Sequence, residues 1–194
     1  MSRPKEFDRD TVIHNAMQLF WAKGYEGATL PELLRVMGLS RSSFYNEFID
    51  KESLFLDVID FYFVKVGQAR VALLNSSPSV KTALRAFFEA QMINDSPFKD
   101  GLVGCLITNT AVAVKGLDPI VACKIKASAE AMEQVFLNLL QRGQTNGEIA
   151  TNKDIKALAK ALLSFTHGMC VYVKIDQDRA GINQIISTVL SLLD

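Results

Sequence analysis

The sequence has few residues that cross-link or interrupt a fold. Only 3 of its 194 residues are cysteine, 5 are proline and 1 is tryptophan. The cysteines, Cys105, Cys123 and Cys170, are odd in number, far apart and without a CxxC pair, which argues against a disulfide framework. Little proline and glycine, with 49% hydrophobic residues, exclude a disordered chain and allow a sizeable core.

The chain also lacks an excess of charge and a long apolar run. Basic and acidic residues number 21 each, which excludes binding of polyanions by bulk charge alone but permits a local basic surface. No stretch approaches the ~18 apolar residues of a spanning helix, and the start MSRPKEFDRD lacks the apolar segment of a secretory signal. We therefore expect a soluble, cytoplasmic protein with no membrane partner.

Helical periodicity dominates what is present, and no alternating strand pattern competes with it. Segments rich in Gly, Pro, Asn, Asp and Ser separate the later helices, namely NSSPS, NDSPFKDG, GLDP, TNGEIATNKD and IDQDRAG. The pattern predicts an all-α fold of about nine helices. We predict a three-helix domain over residues 1–50 and a larger helical domain over residues 51–194.

The second and third helices have recognisable start and stop signals. Thr29 followed by Glu32 is typical of a capping box, the turn GLS follows at 38–40, and Ser40 can cap a third helix over about 41–48. Two short helices joined by a glycine-containing turn are typical of a helix-turn-helix unit, whose second helix lies in the DNA major groove. A generic helical hairpin has the same turn, so the pattern alone leaves both interpretations open.

The third helix has two distinct faces. Phe44 and Phe48 lie one turn apart and are expected to hold it against its own domain. The exposed start and outward face would carry small, basic and hydrogen-bonding side chains, namely Arg41, Ser42, Ser43, Tyr45 and Asn46. Lys51, at the start of the next helix, is placed for a phosphate.

Residues 16–55, AMQLFWAKGYEGATLPELLRVMGLSRSSFYNEFIDKESLF, resemble the DNA-binding domain of the TetR family of transcriptional regulators. The matching elements are LF and the later GY with the following threonine, the glycine of the turn, S-x-x-x-Y-x-x-F, and the following KE-x-L. The resemblance implies a DNA-binding regulator, most often a repressor. It makes the expected DNA contacts Thr29, Arg41, Ser42, Ser43, Tyr45, Asn46 and Lys51.

Other features of this segment bear on the same surface. The arm carrying Arg3 and Lys5 is a further candidate for backbone or minor-groove contacts. Leu34 stands where the family often has alanine. Glu47 occupies a position often held by histidine or an aromatic residue, and a carboxylate there would repel a nearby phosphate.

The resemblance also implies a homodimer formed by the last two helices, and therefore a roughly palindromic operator. Apolar stripes on those helices fit this expectation, although an ordinary core would look the same. The resemblance further implies a small effector in the larger domain. Candidate pocket residues are Phe61, Phe88, Met92, Met132, Phe136, Phe165 and Tyr172, which favour an apolar effector but would equally suit a plain core.

Cys105 is the second residue of the segment GCLITNTAV at residues 104–112, whose first three residues open a helix. The GCL motif resembles a branch of the family in which some members sense electrophiles or oxidants through this cysteine. A cysteine at a helix N-terminus has a lowered pKa and more thiolate. The alternative is a small buried apolar residue, a common environment for free cysteine.

Other kinds of site receive little support from the sequence. His167 and Cys170 lie three residues apart, but a metal ion would need a third ligand, so we predict no metal site and no cofactor. Cys105 and His167 lack an acidic partner as a catalytic pair, and the G-x-S-x-G, P-loop and G-x-G-x-x-G motifs are absent. We expect no enzyme activity. The alternative to a regulator is a helical protein-interaction module without specific DNA binding.

Overall fold

The computed structural model describes residues 7–92, 104–113 and 118–194, and this part of the chain is entirely helical. Its helices are α1 (Arg9–Gly27), α2 (Leu30–Met37), α3 (Arg41–Glu47), α4 (Lys51–Tyr62, continuing through the π-helical turn Phe63–Gly67 to Gln68–Leu73), α5 (Val80–Met92), α6 (Leu106–Val112), α7 (Pro119–Thr145), α8 (Ile155–Tyr172) and α9 (Arg179–Leu190). A 3₁₀ turn, Ser191–Leu193, follows α9. The all-α fold of about nine helices is confirmed. In the described ranges no helix is both long enough and apolar enough to cross a membrane.

The turn between α2 and α3 forms because each of its ends is specified by a single residue. Gly38 adopts a left-handed conformation, with φ at 66°, and ends α2; side chains with a Cβ rarely tolerate that backbone. Ser40 then caps α3, since its Oγ accepts a hydrogen bond from the Ser43 N–H at 3.0 Å. These local signals fix the angle at which α3 leaves the unit.

The first hydrophobic core joins α1, α2 and α3 to the first half of α4. Phe44 and Phe48 are buried in it, which confirms that they hold α3 against its own domain. The rings of Phe20 on α1 and Phe55 on α4 lie 4.7 Å apart in the same core. The first half of α4 therefore belongs to the same core as the three opening helices.

The second core lies between α5, α7, α8 and α9. Its largest fully buried side chains include Phe87, Phe88 and Phe136, whose rings contact one another edge-on. Ile186 on α9 and Leu162 on α8 close it from the other side. The last two helices thus contribute apolar residues to the interior of their own chain.

α4 connects the two ends of the molecule and changes its helical geometry on the way. The π-helical turn Phe63–Gly67 lies between the half that packs in the first core and the half that approaches the larger domain. Such turns inside α-helices occur frequently at functional sites.

One carboxylate anchors the start of α5 to the loop before α8. Glu148 Oε2 accepts a hydrogen bond from the Val80 N–H at 2.6 Å, and Oε1 accepts one from the Lys81 N–H at 3.0 Å and one from the Ser79 hydroxyl at 2.8 Å. Partial burial raises the pKa of this carboxyl, but the three bonds outweigh it, so the pKa lies below its ordinary value of 4.5. Glu148 thereby satisfies helix N–H groups that would otherwise lack acceptors.

We predict that Glu148→Ala lowers the free energy of unfolding by about 1–3 kcal/mol at neutral pH, because hydrogen bonds to a charged group are lost. The control is Glu130→Ala, whose exposed carboxylate lies 3.7 Å from Lys126 Nζ and should contribute less than about 0.5 kcal/mol. Since the folded-state pKa is depressed, the contribution is present above pH 4.5 and lost as the pH falls below it. Urea denaturation across this range measures both effects, and equal losses in the two variants would contradict the prediction.

Candidate functional site

α3 presents a polar face to solvent. Arg41, Ser42, Tyr45 and Asn46 are exposed, and 51% of the Tyr45 surface is accessible. They lie on adjacent turns of one helix face and offer a guanidinium, two hydroxyls and an amide. Ser43 is half-buried, and its hydroxyl lies 2.9 Å from Ser40 Oγ as part of the α3 cap.

Thr29 and Lys51 stand at the starts of α2 and α4. Thr29 is exposed, and its hydroxyl donates to Glu32 Oε2 at 2.9 Å. Glu32 also pairs with Lys23, which is the main reason that its pKa falls to about 2. The Lys51 Nζ lies 4.5 Å from the centre of the Tyr25 ring, a cation–π contact that positions the ammonium. Burial lowers the Lys51 pKa.

Arg9 pairs with the acidic residue that the sequence marked as a departure from the family pattern. Its Nε donates to Glu47 Oε1 at 2.8 Å, and its Nη2 donates to Asp57 Oδ2 at 2.6 Å. The charge of Glu47 is therefore compensated, which reduces the repulsion of phosphate expected at that position. Arg9 links α1, α3 and α4, a role that nothing in the local pattern indicates. Arg3 and Lys5 lie outside the described residues.

A cavity of about 390 Å³ lies beside the second half of α4. This volume is in the range of small-molecule sites, which are mostly apolar with a few placed polar groups. The wall combines small and apolar side chains of α4, α6, α7 and α8 with a few polar ones. It includes Phe63, Val71, Ile107, Ala127, Ala131, Met132, Val135 and Leu163, and the polar Tyr62, Arg70, Gln91, Cys105, Thr108 and His167.

Among the described residues, only two of those predicted for an effector pocket or sensor line this cavity. Cys105 and Met132 line it. Phe88 and Phe136 are fully buried in the second core, and Phe165 packs edge-on against Phe88 with ring centres 4.8 Å apart. These last three rings fill the interior and are not among the residues that line the cavity.

Two of the remaining three pocket candidates lie elsewhere. Phe61 contacts the His14 ring, with centres 6.3 Å apart, and lies below the Lys65 ammonium. Tyr172 is on the surface, where its hydroxyl donates to Asp176 at 3.1 Å. The Met92 side chain lies outside the described part of the structure.

A chain of hydrogen bonds crosses the polar end of the cavity. The Arg70 Nη1 donates to Gln91 Oε1 at 2.9 Å and to the Tyr62 hydroxyl at 3.3 Å. The Tyr62 hydroxyl in turn donates to the Cys105 sulfur at 3.3 Å. The Cys170 thiol, a neighbour of Cys105, donates to Gln91 Oε1 at 3.8 Å. The network thus connects α4, α5 and α8 to Cys105 at the start of α6.

The surroundings of Cys105 favour its thiolate. The neighbouring Cys170 thiol is the largest influence and lowers the pKa of Cys105. The Tyr62 hydroxyl, the Thr108 N–H and the Arg70 charge act in the same direction, against the opposing effect of burial. The pKa of Cys170 is raised correspondingly. Because the thiolate is the nucleophilic form, Cys105 is the reactive partner of the pair.

From the sequence, we expected the dipole of a helix to lower the pKa of Cys105. However, α6 has only 7 residues, and the group that lowers this pKa most, the Cys170 thiol, lies on α8. Gly104 explains how the two segments approach: its φ is 92°, and a Cβ there would lie 2.6 Å from the Cys170 carbonyl oxygen. His167 has its own partner, with Nδ1 2.9 Å from the Thr108 hydroxyl. Among the described residues no group of three His, Cys, Asp or Glu side chains could hold a metal ion.

Tyr62 joins the cavity to the opening helices. Its ring packs edge-on against Trp21 of α1, with centres 5.1 Å apart. The same residue contacts Cys105 through its hydroxyl. One buried side chain therefore touches both the first core and the reactive thiol.

An exposed recognition helix on a compact three-helix unit, linked by one long helix to a larger helical domain with a cavity, defines a helix-turn-helix DNA-binding regulator. Residues 12–58 match the family model "Bacterial regulatory proteins, tetR family". Residues 80–189 match "Tetracyclin repressor-like, C-terminal domain". The chain belongs to the TetR family, as its sequence indicated.

Relatives along the full chain support this assignment. The chain is 32% identical to the HTH-type transcriptional repressor ComR of Escherichia coli, over 98% of this chain and 90% of ComR. It is 31% identical to the regulator YezE of Bacillus subtilis over the full length of both chains. A cysteine mutant of the TetR-family regulator CifR, solved with a 26 bp operator DNA, superposes with a TM-score of 0.88 at 26% identity and covers both chains completely. The protein is a DNA-binding transcriptional regulator, and its family consists of transcription factors rather than enzymes.

We predict that Cys105, in a Cys123→Ser background that removes the exposed thiol, reacts with iodoacetamide with a pH midpoint below the ordinary thiol value of about 8.5. Cys170→Ala and Tyr62→Phe should each raise that midpoint, because each removes a neighbouring group that lowers the pKa of Cys105. Mass spectrometry of time points at each pH gives the rates. A midpoint at the ordinary value, or one that Cys170→Ala leaves unchanged, would contradict this description of the thiol.

Proposed function

We propose that this regulator is a cytoplasmic repressor that binds a roughly palindromic operator as a homodimer. It releases the operator when a small effector enters the cavity or when Cys105 is modified. The observation that carries the proposal is the double contact of Tyr62, with Trp21 on one side and Cys105 on the other. Repression is supported by the likeness to ComR, a repressor, over nearly the whole chain.

DNA reading is assigned to the outward face of α3. Arg41, Tyr45 and Asn46 would meet base edges in the major groove, where a guanidinium, a hydroxyl and an amide can distinguish base pairs. Phosphate contacts, which fix the position of the protein on the duplex, are assigned to Thr29, Ser42, Ser43 and Lys51. In this scheme residues 1–50 form the reading domain and residues 51–194 form the effector and dimer domain.

Dimerisation is assigned to the outward face of α8. Ala157, Ala161, Ser164 and Gly168 are exposed in the single chain and recur every three or four residues. Small side chains at this spacing let a second helix approach closely. Of the apolar stripe on α9, Ile182, Ile186 and Leu190 are buried within the chain, so α9 would contribute its outer, more polar face.

Release follows from the position of α4. An effector beside Tyr62, or an adduct on Cys105, occupies space that the Tyr62 hydroxyl now shares with the sulfur. Because the Tyr62 ring packs on Trp21, a shift of α4 alters the setting of α1 and α3 in each protomer. Allosteric coupling of about 1–3 kcal/mol, typical for regulators, changes operator affinity by about 5- to 150-fold.

We predict that Tyr45→Ala lowers operator affinity by roughly 5- to 100-fold without loss of thermal stability, because the side chain is 51% exposed. Lys51→Gln should weaken binding to operator and random DNA alike and reduce the salt slope by about one. Lys126→Gln, on the exposed surface of α7, is the control. Fluorescence anisotropy over a salt series measures all three, and wild-type affinity in Tyr45→Ala would exclude α3 as the reader.

The experiment that tests the function is enrichment of sheared genomic DNA on the purified protein, under reducing conditions and after treatment with hydrogen peroxide or an electrophile. We predict a discrete palindromic site that is released after treatment. Cys105→Ser should retain the site and resist release, whereas Cys123→Ser should behave as wild type.

The outcomes separate the parts of the proposal. If the Cys105→Ser protein also releases the site after treatment, as readily as wild type does, release does not depend on modification of Cys105. Release by an effector in the cavity would then remain. No enriched site under reducing conditions would contradict the regulator itself and favour a protein-interaction module.

A further inference from the structure

The cavity wall contains a cation that no carboxylate neutralises among the described residues. Arg70 is half-buried, and both of its hydrogen bonds go to neutral groups, the Tyr62 hydroxyl and Gln91 Oε1. The other cation of the wall, Lys124, is paired with Asp60. A partly buried charge without a counter-ion is costly in apolar surroundings, so an anion that enters the cavity would relieve this cost.

The geometry of Arg70 leaves room for that anion. Both hydrogen bonds use a single nitrogen, Nη1, while Nε and Nη2 form none with the described residues. A guanidinium has five N–H donors in a planar fork, which matches the two oxygens of a carboxylate. The guanidinium also stays charged at all physiological pH values.

The Cys105 thiolate is not the main counter-ion of Arg70. The two groups are separated by the Tyr62 hydroxyl, which accepts from Arg70 and donates to the sulfur. Arg70 and the sulfur are therefore not in direct contact, and the free nitrogens of Arg70 remain available to a ligand.

The rest of the wall fits an apolar body. Ala127, Ala131, Met132 and Val135 of α7 and Leu163 of α8 line the cavity beyond the polar end. We propose that the cavity binds a small amphipathic carboxylate, with its carboxylate on the fork of Arg70 and its apolar body along α7. The role of this ligand as the effector rests on the proposed function; the binding site does not.

Matched probes test the charge requirement. A panel of phenyl-substituted and straight-chain carboxylates, such as 4-phenylbutyrate and octanoate, is compared with the alcohol and the amine of each same body by calorimetry on the purified full-length protein. We expect each binding carboxylate to bind at least about 10-fold more tightly than its alcohol, and the amines to bind more weakly still. If no carboxylate in the panel binds more tightly than its alcohol, the proposal is overturned.

Variants assign the effect to one residue. Arg70→Gln should weaken carboxylate binding by roughly 10- to 150-fold and leave the alcohols unchanged, and Arg70→Lys should recover part of the loss. Arg85→Gln, on the exposed side of α5 beside Glu89, should change neither. Wild-type carboxylate affinity in Arg70→Gln would overturn the assignment.

Operator anisotropy separates this inference from the proposed function. A carboxylate that binds through Arg70 and releases the operator supports both. One that binds through Arg70 without release supports the site and contradicts its role as the effector site. If the protein binds its operator but no carboxylate, the proposal that it is a DNA-binding repressor stands, and the proposed carboxylate site at Arg70 is refuted.

Discussion

Tyr62 is a buried side chain that contacts two parts of the structure. Its ring packs against Trp21 in the core of the DNA-binding unit, and its hydroxyl lies between Arg70 and Cys105 at the cavity. Because buried side chains in a close-packed core transmit strain to their neighbours, we infer that a change at one end of Tyr62 affects the other. The π-helical turn begins at the next residue, Phe63, so the contact lies where the geometry of α4 changes.

The residues linked to Tyr62 have different roles in the proposed release of the operator. Arg9 joins α1, α3 and α4 through its hydrogen bonds to Glu47 and Asp57. The surroundings of the Cys105–Cys170 pair lower the pKa of Cys105 and raise that of Cys170. Arg70 bonds to Tyr62 from the cavity side, so both a bound anion and a modified thiol would act on the same hydroxyl. Two different chemical signals would therefore have a common point of action.

The sequence was sufficient to predict those features that depend on residues close together in the chain. The spacing of Phe44 and Phe48, the left-handed Gly38 and the Ser40 cap act within a few residues, so α3 and its orientation could be predicted. Pairs distant in sequence, such as Arg9 with Glu47 and Cys105 with Cys170, could not, because periodicity shows which face of a helix is apolar but not which helix it meets. The cavity illustrates the same limit. Large rings such as Phe88 and Phe136 fill the core, whereas the open volume lies beside Ala127 and Ala131.

We infer that the Tyr62 hydroxyl transmits the state of Cys105 to the DNA-binding unit. The measurement that tests this is operator affinity before and after complete alkylation of Cys105, in a Cys123→Ser background, with Tyr62 present or replaced by phenylalanine. We expect alkylation to weaken operator binding at least about fivefold with tyrosine. With Tyr62→Phe, which retains the ring packing on Trp21, the two affinities should become nearly equal while the unmodified protein still binds. An undiminished loss of affinity in the Tyr62→Phe protein would show that the hydroxyl does not transmit the change.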